Sequence, residues 1–147
     1  MAYATILHPN DGSPAAALAT THAVALARLA GARLIGVYVS DERMLFQIGI
    51  HRGKAEQEMS AEAQQVLDGM AAAAAEAGVP FERRTASGKP ADLILSFAEA
   101  DKADVIVIGS HGGGALEHLL VGSVAESLIR SASVPVLVVP WRSRLST

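Results

Sequence analysis

Short apolar runs alternate along the chain with longer stretches in which apolar residues recur every three or four positions. That is the pattern of strands interleaved with amphipathic helices. Ala4–His8 reads as a short strand, ended by Pro9, which has no N–H to give a central ladder. Ser13 as N-cap and Pro14 at the first helical position start a helix that runs to about Ala30 and stops at Gly31. Leu18, His22, Leu26 and Leu29 are expected on its inner face, with Ala25 beside them and His22 packed in the core. Arg33–Val39 is a second strand, ended by Ser40-Asp41. Glu42–Lys54 has no clear period and reads as a lid, an extra helical turn or a loop. From Ala55 to Ala77 the helical period returns, with Met59, Ala63, Val66, Leu67, Met70 and Ala74 on one face, until Gly78-Val79-Pro80.

Phe81–Ala86 alternates apolar and polar residues, as an edge strand does. Gly88-Lys89-Pro90 opens a third helix with Ile94, Phe97 and Ala98 facing inward. Val105–Ile108 is an unbroken branched run, which suits a strand buried on both faces. Ser123 is predicted to cap a fourth helix, with Glu126 at the capping-box spacing and Val124, Leu128, Ile129 and Ala132 inward. Val136–Val139 is the last strand, and Trp141–Thr147 is a polar tail. This alternation predicts one α/β domain over 1–147: a doubly wound five-stranded parallel sheet with helices on both faces and right-handed crossovers.

Composition narrows the function classes. None of the apolar runs in the 147 residues approaches the ~20 of a membrane span, and the N-terminus has no basic region followed by an apolar one. There is no cysteine, hence no disulfide or thiol chemistry, and a cytoplasmic setting is expected. Net charge is −3, aromatic residues are 4%, and no basic run exceeds Arg83-Arg84, so neither nucleic acid nor membrane is expected as a partner.

The chemistry concentrates in Asp104–Val124, where a buried strand runs into Gly109, then a loop with Gly112, Gly113 and Gly114, then a helix start at Ser123. Strand, glycine loop and helix N-terminus together aim N–H groups and a positive dipole end at an anion. The loop has no Gly-Lys-Ser/Thr and no G-x-G-x-x-G spacing. Its spacing is G-x2-G-x9-G-[ST], from Gly109 through Gly112 to Gly122-Ser123. With Asp11-Gly12-Ser13 after the first strand and Val134-Pro-Val-Leu-Val-Val at the end, nearly the whole chain resembles the ATP-binding, single-domain universal stress proteins.

The resemblance implies strand order 3-2-1-4-5 and a ligand crevice where the order reverses, between strands 1 and 4. It implies ATP there, with Mg held through the phosphates. Gly109 would let the chain turn sharply, Gly112 would let the ligand approach, and Gly122 would bring an N–H to the phosphates. Ser123 would donate its hydroxyl to a phosphate while capping the helix, with Glu126 turned away from bound ligand. Asp11 would face the ribose and Val39 the adenine, beside Pro9 and Asn10, while Ser110, His111, Gly113 and Val124 complete the expected binding set. Read locally, the glycines also suit a plain strand–helix connection, Asp11 an Asx turn or cap, and Val39 sheet core. Many members carry a basic residue just after the second glycine or in the loop beyond; here stand Gly113, Gly114 and Glu117.

No catalytic constellation is legible. Ser110 and His111 are adjacent and should point apart, no G-x-S-x-G elbow occurs, and His111 and His118 lack a metal-ligand spacing. No catalytic residue or protein-held metal is therefore expected, and at most weak ATP hydrolysis. The expected function is a stress-response protein acting as a nucleotide-dependent switch or interaction module with an unknown protein partner. The alternatives are an interaction module of the same fold that binds no nucleotide, and a slow ATPase. The uncharged edge Val136–Val139 predicts a homodimer through strand 5.

Overall fold

A computed structural model describes residues 2–41, 52–110 and 121–141. In it the chain runs β1 (Thr5–Pro9), α1 (Pro14–Ala30), β2 (Arg33–Asp41), α2 (Arg52–Glu76), β3 (Phe81–Gly88), α3 (Pro90–Ala100), β4 (Val105–Gly109), α4 (Ser123–Ser131) and β5 (Val136–Val139). The strands form one parallel sheet in the order β3-β2-β1-β4-β5. Successive residues of the central strands serve opposite faces. Ile6, Leu34, Val105 and Val107 meet α1 and α2, while Leu7, Ile35, Ile106 and Ile108 meet α3 and α4. Burial on both faces is why these strands read as continuous apolar runs.

The expected inner face of α1 is corrected. Its buried residues are Ala15, Ala16, Ala19, Thr20, Ala23, Val24 and Ala27. Leu18, His22 and Leu26 are only half-buried, Ala25 is exposed, and Leu29 is 86% exposed. The helix lies close to the sheet: a Cβ on Gly109 would stand 2.9 Å from the Ala15 carbonyl oxygen. At that separation small side chains fill the interface, and the bulky residues are left on the flank. His22 is accordingly not a core histidine; among the described residues the fully buried one is His8.

The start of α1 is as expected. Ser13 Oγ accepts the Ala16 N–H at 3.2 Å, Pro14 follows it, and Gly31 closes the helix with φ 66°. Ala63, Leu67, Met70 and Ala74 of α2 are buried as predicted. On α4 the inward pair is Ala125 and Leu128, and Ile129 is 52% exposed. Segment 42–51 and residues 142–147 lie outside the described residues.

Candidate functional site

The site begins with a missing hydrogen bond. β1 pairs with β2 as far as Pro9↔Val37, but with β4 only at Ile6↔Val105 and Leu7↔Ile106. Odd-numbered residues of β1 turn their main-chain groups toward β4, as Thr5 does in accepting the Asp104 N–H. In a continuing parallel ladder the next donor for the Val107 carbonyl is the N–H of residue 9, and Pro9 has none. The His8 ring fills the vacancy: Nδ1–H donates to Val107 O at 2.9 Å. Past this point β1 and β4 part, and the crevice opens between them.

Because a carbonyl can only accept, the bond to Val107 fixes the proton of neutral His8 on Nδ1. Nε2 is then an acceptor and takes the Thr20 hydroxyl proton at 2.8 Å. Thr20 Oγ1 in turn accepts from Asn10 Nδ2 at 3.1 Å, and Asn10 Oδ1 accepts the Gly12 N–H at 2.8 Å. His8 is 0% exposed. Burial lowers its pKa to about 4, against the opposing pull of the Val107 bond and the Asp11 charge, so the ring is neutral near pH 7.

The cavity at the carboxyl ends of the strands holds about 470 Å³. On the β1–β2 side it is lined by Pro9, Asn10, Asp11 and Val39. Asp11 Oδ1 accepts the Ser13 N–H at 2.9 Å, so the Asx turn read from the local sequence is formed. The turn needs Gly12, whose φ is +86°. Val37 accepts the Asn10 N–H across the β1–β2 gap. Val39 shares its parity, so its N–H and C=O face the space that β1 has vacated.

Gly109, Ser110, Gly122, Ser123 and Val124 line the opposite side of the same cavity. Gly109 has no positive φ; its lack of a Cβ serves the approach of α1, not a sharp turn. Gly122 is also corrected. Its N–H donates to the Ser110 carbonyl, and Gly122 itself is the N-cap of α4, accepting the Glu126 N–H at 2.9 Å. Ser123 therefore stands inside the helix, exposed, and makes no capping bond. The capping box does not form, and Glu126 Oε1 pairs instead with Arg130 Nη2 at 2.7 Å. Hence the N–H groups of the first α4 turn, from Ser123 to Ala125, have no side-chain cap and border the cavity. His111, Gly112 and Gly113 lie outside the described residues.

The lining also includes residues outside the expected binding set, Tyr38 and Glu62 among them. The Tyr38 hydroxyl is hydrogen-bonded to Glu62, and burial together with this carboxylate raises the phenol above its ordinary range. Both residues line the cavity, with Asp41 nearby. They come from β2 and α2, and no local motif links them. The β1–β2 rim is thus acidic, at Asp11, Asp41 and Glu62, while the β4–α4 rim offers N–H groups and hydroxyls. Among the described residues no group of three or more His, Cys, Asp or Glu could hold a metal, and no helix is long and apolar enough to cross a membrane.

Comparison with known proteins gives one answer. A profile of the universal stress protein family matches residues 2–140. Universal stress protein MJ0531 of Methanocaldococcus jannaschii is 37% identical over 140 residues, covering 93% of this chain and 82% of that protein. The solved structure of MJ0577 from the same organism superposes with a TM-score of 0.84 at 30% identity, over 95% of this chain and 96% of that one. The universal stress protein of Archaeoglobus fulgidus in complex with dAMP superposes with a TM-score of 0.71 at 26% identity, over 95% and 99% of the two chains.

Proposed function

Because this chain belongs to the universal stress protein family, we propose that its cavity binds an adenine nucleotide, ATP with Mg foremost, and that the protein works as a nucleotide-dependent switch or interaction module. The observation that carries this reading is the two-sided cavity itself. One rim offers hydrogen-bonding groups of both kinds and carboxylates. The other offers the uncapped first turn of a helix. A nucleotide has the matching asymmetry. The Val39 N–H and C=O suit the N1 acceptor and N6 amino donor of adenine. Asp11 keeps Oδ2 uncommitted among the described residues and suits a ribose hydroxyl. The first turn of α4 and the Ser123 hydroxyl suit phosphate oxygens. The acidic rim repels phosphates and so fixes the direction in which the nucleotide lies. The protein supplies no metal cluster among its described residues, so Mg enters with the phosphates. The complex of the Archaeoglobus fulgidus relative with dAMP supports an adenine nucleotide over other ligands.

Calorimetric titration with Mg-ATP, together with extraction of nucleotide from purified protein, tests the reading. Saturable binding that is weakened in Asp11→Ala and Ser123→Ala supports it. No heat at millimolar ATP with Mg, and no co-purified nucleotide, would point to an interaction module without nucleotide.

Assembly follows from β5. It lies at the sheet edge opposite β3, with Leu137 exposed and no charged residue between Val136 and Val139. An uncharged edge strand invites pairing, and pairing with its own copy across a two-fold axis closes both edges at once. The proposed assembly is therefore a homodimer through Val136–Val139.

A further inference from the structure

We propose that His8 and Thr20, neither of which lines the cavity, are positioning residues for the nucleotide, acting through Asn10 on the turn that carries Asp11. The proposal rests on the nucleotide reading above. Its observation is a directed chain of side-chain bonds that begins at the strand fork and ends at the cavity wall. His8 Nδ1–H is bound to Val107 O at 2.9 Å, and Thr20 donates to His8 Nε2 at 2.8 Å. Asn10 Nδ2 donates to Thr20 at 3.1 Å, and Gly12 N–H donates to Asn10 Oδ1 at 2.8 Å.

The two ends of the chain are main-chain groups of fixed polarity. Val107 O can only accept and Gly12 N–H can only donate, so while His8 is neutral one arrangement of the intermediate protons leaves every member of the chain paired. The His8 tautomer, the Thr20 rotor and the Asn10 amide orientation are set together. His8, Asn10 and Thr20 are all buried, so no bulk water replaces a lost partner cheaply. Asn10 is the point where the chain reaches the ligand side, since it lines the cavity and its Oδ1 closes the turn at Gly12. Asp11 stands inside that turn, and its carboxylate is further held by the Ser13 N–H. The same Thr20 hydroxyl lies 3.1 Å from the Ala16 carbonyl, an acceptor it turns to if His8 stops accepting. The aim of Asp11 into the cavity is thereby tied to a histidine that never touches the ligand.

The test titrates Mg-ATP into the full chain and into Thr20→Val, Thr20→Ser, Asn10→Ala and the Thr20→Val/Asn10→Ala double variant. Thr20→Val keeps the shape and removes the hydroxyl. It should weaken binding about tenfold, and Thr20→Ser should restore it to within about threefold of wild type. In the Asn10→Ala background the relay is already cut, so adding Thr20→Val should cost less than about twofold more. The Gly12 amide is read in parallel by NMR in the absence of nucleotide. It should lose its hydrogen-bonded shift and exchange faster in Thr20→Val, which a packing role for Thr20 alone would not produce. A loss below about fivefold in Thr20→Val, or full additivity in the double variant, overturns the proposal. Should Thr20→Val not fold, Thr20→Cys takes its place. If wild type binds no nucleotide, the functional reading fails, and the Gly12 amide still decides whether the relay exists.

Discussion

Acid should destabilise this protein through His8, by an amount the structure sets. The imidazole is fully buried and its pKa is lowered to about 4, with burial the main cause. In the unfolded chain it returns to about 6.5. The unfolded state therefore binds the extra proton as pH falls, and the native state does not. Stability from this group is complete above the unfolded value and drains away between about pH 6.5 and 4. At pH 5 the unfolded imidazole is almost wholly protonated and the native one about a tenth so, which places the loss near ~2 kcal/mol relative to pH 8. The cost is desolvation of a charge and not loss of partners. Protonated Nε2 can donate to Thr20, whose hydroxyl can then turn to the Ala16 carbonyl.

Urea unfolding of wild type and His8→Gln at pH 8 and pH 5 isolates the term. His22 and the carboxylates are common to both proteins, so they cancel in the double difference. The wild type should lose about 2 kcal/mol more than the variant over that interval. A double difference below about 0.5 kcal/mol would refute a neutral, buried His8, as would an NMR titration of its ring in the folded protein near the ordinary 6.5.

Three further outcomes follow from the geometry. Gly109→Ala puts a Cβ 2.9 Å from the Ala15 carbonyl oxygen and 3.0 Å from its carbon, which are helix backbone and cannot swing aside, so urea unfolding should show a loss of about 1–3 kcal/mol. Ser123→Ala should leave the urea midpoint unchanged, because the hydroxyl caps nothing, while calorimetry shows weaker ATP binding; a stability loss above about 1 kcal/mol would restore the capping role. Val138→Lys should move the species seen by light scattering after gel filtration from twice the 15.2 kDa chain mass toward one, or make the chain insoluble; wild type running as a monomer at tens of micromolar would remove the β5 interface.

The alternation of elements and their boundaries were legible because they rest on residues with strong local preferences, whereas the strand order and the crevice came only with the family resemblance. Pro9 ends a ladder, Ser13-Pro14 starts a helix, and the branched run Val105–Ile108 suits a doubly buried strand. The face of α1 was misread because large apolar residues mark a helix's buried side only when there is room for them. Against the closely approaching sheet the alanines go inward and Leu29 goes out. The capping box at Ser123 and Glu126 has the right spacing, but the helix starts one residue earlier, with Gly122 as its N-cap, and Arg130 one turn on claims the carboxylate. His8 and Thr20 gave no local signal. Their pairing exists only because Pro9 leaves Val107 unserved on a neighbouring strand, a fact of register and not of sequence proximity. Tyr38 and Glu62 were hidden for the same reason, since β2 and α2 meet only in the folded chain.

Titration of Mg-ATP into isotope-labelled protein, followed by amide NMR, tests nucleotide binding at this cavity most directly. Saturable shifts should appear at Asp11, Val39, Ser110 and Ser123, on both rims, while Leu29 and Gly31 at the far end of α1 stay still. No saturable shift at millimolar nucleotide, or shifts confined to residues outside the cavity, would contradict it.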